Sequence, residues 1–151
     1  MSTQTPVPQA LRVAYLANFI FTLIFGLAGT FAARLVGDIA NHPVRDVDVN
    51  AMLGVASLAF ALGSWLAYKA TTWEQIGILT AMLAFSNLFG GITGVIAFFF
   101  PSIFGLTEPY PPVQLLVAVV LIAFGSAFAY FYFSARPARA LARNEAPAGA
   151  K

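Results

Sequence analysis

Cysteine is absent from the 151 residues, which excludes disulfides, thiolate metal ligation and thiol redox chemistry. Charge is nearly as scarce. Asp, Glu, Lys and Arg make up 9% of the chain, against about 25% in an ordinary soluble domain. So few charges cannot cover a water-facing surface. With a mean hydropathy of +0.81, the chain reads as one membrane domain. Its basic residues form no dense block, which argues against nucleic-acid binding. No Ser-His-Asp set, no pair of buried carboxylates and no glycine-rich phosphate loop is present. The expectation is therefore a protein that is not an enzyme, with no catalytic residue and no resident cofactor. Ionisable side chains are also missing from the middle of every apolar run: Arg12, Arg34, Lys69 and Glu74 all fall at the ends. Ion paths and proton relays are built from such groups, so transport has little support.

Four long apolar runs are what the chain does have, at about residues 10–35, 49–68, 75–100 and 113–133. Each is long enough, at about 1.5 Å per helical residue, to cross a hydrocarbon core of about 30 Å. The fold class predicted is all-α, a four-span antiparallel transmembrane helix bundle over residues 10–133. Residues 1–9, with Pro6 and Pro8, are expected to be a disordered lead. No signal-peptide pattern is evident in this segment. Residues 134–151 are expected to form a basic tail, at most a short interfacial helix because of Pro137 and Pro147.

The runs are sorted by residue size. In the third, Gly77, Thr80, Ala81, Ala84, Asn87, Gly91 and Gly94 recur at three- and four-residue steps and share one face. In the first, Ala14, Asn18, Thr22, Gly26, Gly29 and Ala33 repeat the design. The second is small on two sides, with Gly54, Ser57, Ala61 and Ser64 on one and Ala56, Ala59, Gly63 and Ala67 on the other. In the fourth, Gln114, Ala118, Gly125 and Ala129 share a face. Small faces let membrane helices approach backbone to backbone. Gly26, Gly54, Gly63, Gly91, Gly94 and Gly125 are thus the predicted packing positions, with bulky residues turned to lipid. Phe98, Phe99 and Phe100 at the end of the third run and Phe124, Phe128 and Phe131 in the fourth are read the same way, as lipid-facing, with contact to a carotenoid or quinone as the alternative.

Asn18, Thr22 and Asn87 are the candidate polar site. An unpaired amide at mid-membrane is costly. The leading reading is hydrogen bonding between helices; the alternative is contact with a quinone, lipid or pigment held inside the bundle. His42 is the sole histidine, close to Asp38, Asp46 and Asp48. Pro43 interrupts helical spacing there, so a solvated loop is preferred to a metal site. At the ends of the runs, Trp65, Tyr68 and Trp73 suit an interfacial aromatic belt.

Four spans place both termini on one side, together with the turn after the second run. That side carries Arg12, Lys69, Arg136, Arg139, Arg143 and Lys151; the other carries Arg34 and Arg45. The positive-inside rule puts both termini in the cytoplasm, with Arg136, Arg139 and Arg143 at the anionic membrane surface.

Asn50-Ala51-Met52-Leu53-Gly54 opens the second run and Gly63-Ser64-Trp65-Leu66-Ala67 closes it. With Asn87, Gly90-Gly91 and the ending Phe128-Ala129-Tyr130-Phe131, this layout resembles the small four-helix bacterial membrane proteins related to DoxX, over most of residues 11–133. The resemblance implies a four-helix fold in a bacterial inner membrane. An arginine before the Leu-Gly of the second helix and a histidine in the fourth are frequent in such proteins. Here Asn50 stands near the first position, and the fourth run has no histidine. The functional expectation is a non-enzymatic accessory subunit whose partners are the bilayer and other membrane subunits or copies of itself. The alternative partner is an apolar small molecule.

Overall fold

A computed structural model of the chain describes residues 5–39, 47–106 and 111–145. Among these the architecture is all-α. The elements are α1 (Gln9–Phe31), α2 (Ala33–Ile39), α3 (Val47–Lys69), α4 (Trp73–Phe99), a 3-10 turn at Pro101–Phe104, and α5 (Pro112–Glu145). Four segments have the length and apolarity of membrane spans: Gln9–Phe31, Asn50–Lys69, Trp73–Phe99 and Pro112–Ser134. Each has at least the roughly 20 residues a crossing requires. Their outer surfaces carry Ile24, Phe31, Met52, Ile78, Phe85, Phe89 and Leu116, all largely exposed. Such a surface is not stable against water, and the chain is a multi-pass membrane protein.

The spans associate as two hairpins. Close backbone contact runs along α1 with α3 and along α4 with α5, whereas contact between the two pairs is sparse. Residue size accounts for the difference. Gly29 of α1 and Gly54 of α3 stand face to face, and a Cβ on Gly54 would collide with the Gly29–Thr30 backbone. On the other hairpin, a Cβ on Gly91 would lie 2.7 Å from the Ala118 carbonyl, and one on Gly125 2.6 Å from the Leu88 nitrogen. Between the hairpins the spacers are large. Leu11, Tyr15, Trp73, Ile76, Leu83 and Phe128 form the core cluster, with Tyr15 and Phe128 ring centroids 5.1 Å apart.

Several boundaries depart from expectation. The first apolar run is not one helix: Ala32 leaves helical geometry at φ −130° and ψ 29°, and α2 begins beyond it. Residues 5–8 of the expected disordered lead are docked. Val7 is buried, its N–H bonds the Thr71 carbonyl at 3.3 Å, and the Trp73 N–H bonds the Thr5 carbonyl at 2.8 Å. The turn between α3 and α4 needs those partners, and Arg12 adds a hydrogen bond to the Ala70 carbonyl at 3.0 Å. Trp73, read as interfacial, is therefore enclosed in the core. Thr72 is the N-cap residue of α4, and the Gln75 side-chain oxygen accepts from the Thr71 and Thr72 N–H groups. Helix α5 continues past the expected end of its span, through Pro137 to Glu145. Ala, Arg and Leu around that proline are strong helix formers. Arg136, Arg139 and Arg143 fall on this extension, with side chains outside the described set. His42 and Asp46 lie outside the described residues altogether.

Candidate functional site

The small stripes of α1 and α4 turn inward, which brings Asn18 and Asn87 together. Asn18 is fully enclosed and Asn87 is 6% exposed. The Asn18 amide nitrogen donates to Ser64 Oγ of α3 at 2.8 Å. Its oxygen accepts from Asn87 Nδ2 at 3.4 Å, and the same nitrogen of Asn87 reaches the Leu83 carbonyl at 2.9 Å. One buried amide thus joins three helices. Since α1 and α4 face each other across the bundle without close backbone contact, a side chain from each helix is needed to bridge them.

A second bridge spans the same diagonal. Tyr15 Oη and Thr80 Oγ1 are 2.6 Å apart, and Thr80 Oγ1 donates to the Ile76 carbonyl at 2.8 Å. Threonine has a single hydroxyl proton, so the tyrosine O–H is the donor across the bundle. Tyr15, Asn18 and Thr22 lie three and four residues apart on one face of α1; Thr80 and Asn87 lie two turns apart on α4.

Thr22 departs from its expected role. It is buried, but its hydroxyl donates to the Asn18 backbone carbonyl at 2.7 Å, a bond within its own helix rather than between helices. Tyr15, Ser64 and Thr80 are the members that sequence reasoning missed as polar contacts. A tyrosine three residues before Asn18 carried the signal, because a buried phenol seeks a partner. No member of the set ionises readily, and its bonds are neutral ones between protein groups. What such an arrangement does chemically is fix the mutual rotation of three helices.

Of the six predicted packing glycines, five meet a neighbouring helix closely. Gly26 meets Leu58, Gly54 meets Gly29 and Thr30, Gly91 meets Ala118 and Ile122, Gly94 meets Ala118, and Gly125 meets Leu88. Gly63 differs. The nearest atom to a Cβ there is the Leu79 side chain at 3.3 Å, with no backbone nearby. The aromatic residues of α5 also differ from expectation. Phe128 is completely buried against Tyr15, and Phe124 packs on Phe21 at 5.7 Å. Glycine seams bring backbones together only within each hairpin, so rings fill the wider space between hairpins. Phe99 and Phe100, by contrast, are exposed.

Compared with protein-family models, curated proteins and solved structures, the chain has no match.

Proposed function

We propose that this protein is a non-enzymatic subunit of a membrane assembly, joining neighbouring helices through the outer face of α3. One observation carries the reading: α3 is small on two sides and the bundle uses only one of them fully. Gly54, Ala61 and Ser64 are buried against α1, while Ala56 and Ala59 stand exposed among Met52, Val55 and Leu62. A helix facing only acyl chains gains nothing from short side chains. A second helix does, because close approach maximises van der Waals contact where no hydrophobic force operates. The partner is another copy of this chain or a different subunit.

The alternative, a quinone, lipid or pigment beside Asn18 and Asn87, has less support. Both amides are engaged by protein groups, at distances that leave no ligand between them. A bacterial inner-membrane location with both termini cytoplasmic is part of the proposal and rests on the uneven distribution of lysine and arginine. Kinship with the DoxX-like proteins rests on the motifs quoted above.

Extraction from the native membrane in mild detergent, followed by native electrophoresis and light scattering, tests the association. The expected result is an assembly larger than one chain, dissociated by Ala59→Phe without loss of helicity. Recovery of the unmodified protein only as a monomer would sink the proposal.

A further inference from the structure

We propose that the groove between α3 and α4, at the Lys69 end, binds a single anionic phospholipid. One acyl chain lies along Gly63, Leu66 and Leu79, and the phosphate is held by Lys69. The two helices are joined by a turn of only a few residues, yet they diverge. At Gly63 they meet through the tip of Leu79 rather than through backbone. The divergence leaves an open cavity of about 540 Å³, within the usual range for a ligand site of about 300–1,000 Å³.

Its lining is graded. Gly63, Leu66, Ala67, Ile76 and Leu79 make an apolar wall, and Lys69, Thr71 and Gln75 lie at the turn end. Lys69 is the ionisable residue of that lining, and among the described residues no carboxylate shares the cavity with it. The Gln75 oxygen accepts the Thr71 and Thr72 N–H groups, so its NH2 is what it offers a ligand. The polar end is therefore a set of donors with one positive charge.

Level in the membrane agrees with this. The Lys69 ammonium lies 4.8 Å from the Trp65 ring centroid and 6.0 Å from that of Tyr68. Interfacial aromatics of this kind mark the headgroup region. A cation there beside an apolar cleft matches a phospholipid phosphate with an acyl chain running inward from it. A free phosphate would use the mouth and leave the apolar wall unfilled. Basic pockets between membrane helices recognise lipid headgroups on this principle.

The test is native mass spectrometry of the full chain released from nanodiscs of equal phosphatidylglycerol and phosphatidylcholine. The expected result is one retained phosphatidylglycerol, preferred over phosphatidylcholine by about fivefold, the factor that roughly 1 kcal/mol per lysine at the surface supplies. Lys69→Gln should abolish the preference and Lys69→Arg should keep it. Gly63→Leu, which places a side chain in the groove, should lower retention of both lipids. Inorganic phosphate at millimolar concentration should leave retention unchanged. Equal retention of the two lipids by the unmodified chain overturns the proposal, as does displacement by phosphate or an unchanged preference in Lys69→Gln. Lys69 is exposed and lies at the helix end, so its variants keep the fold. The association proposed for Ala56 and Ala59 is read separately, by oligomeric state: a monomer that retains the lipid fails that proposal and passes this one.

Discussion

Asn18 uses both ends of its amide, on Ser64 and on Asn87, whereas Asn87 has a carbonyl of its own helix as well. Replacing either by leucine should destabilise the bundle by about 0.6–1.7 kcal/mol, the range for hydrogen bonds between membrane helices. Asn18→Leu should cost more, because it removes two bonds to other helices and Asn87→Leu removes one. The double variant should cost less than the sum, since the Asn18–Asn87 bond is lost only once. Reversible unfolding in mixed micelles would measure this; strict additivity would show that the two amides do not interact. The asparagines were legible in the sequence because a mid-membrane amide requires a partner. Their partners were not. Helical spacing says which residues share a face of α1, but not that α4 lies across the diagonal from it. Thr22 was misassigned because a threonine hydroxyl can satisfy itself on the carbonyl four residues back.

Helix pairs were more legible than single contacts, since a glycine stripe reports where backbones meet whatever the partner is. Its strength differs from position to position, and that gives a graded prediction. Gly54→Ala and Gly125→Ala push a methyl into backbone of the opposing helix and should each cost about 1–3 kcal/mol, as overpacking does. Gly90→Ala meets only a Leu121 methyl, at 3.6 Å. It should be neutral, or stabilising by up to about 1 kcal/mol through helix propensity. Thermal unfolding of the three variants in one detergent checks the order; equal losses at Gly54 and Gly90 would mean that the seams are not backbone contacts. The element ends were harder to read. Apolarity runs on through Ala32, where the backbone turns, and the polar, proline-bearing Thr5–Pro8 gives no local hint of its bonds to a turn more than sixty residues away. The docking of Thr5–Pro8 depends on tertiary partners that no local pattern encodes.

At the scale of the molecule, the two hairpins meet at one end through a large aromatic and aliphatic cluster. That end gathers the lead, the start of α1, the α3–α4 turn and the later part of the α5 span. An even number of crossings follows, and with it a topology that can be tested without background, because the chain has no cysteine of its own. Single substitutions Gln9→Cys and Ser134→Cys lie at the gathered end; Ser102→Cys lies in the 3-10 turn beyond α4, at the other. In intact cells a membrane-impermeant maleimide should label Ser102→Cys alone, and all three should react once the membrane is opened. Labelling of Gln9→Cys and Ser134→Cys in place of Ser102→Cys would reverse the orientation and leave the bundle intact. Labelling of Gln9→Cys and Ser102→Cys from the same side is the outcome that the bundle cannot accommodate. The α1 and α4 spans run in the same direction through the diagonal bonds of Tyr15 and Asn18. A chain that crosses three times between residues 9 and 102 must put those two positions on opposite faces of the membrane.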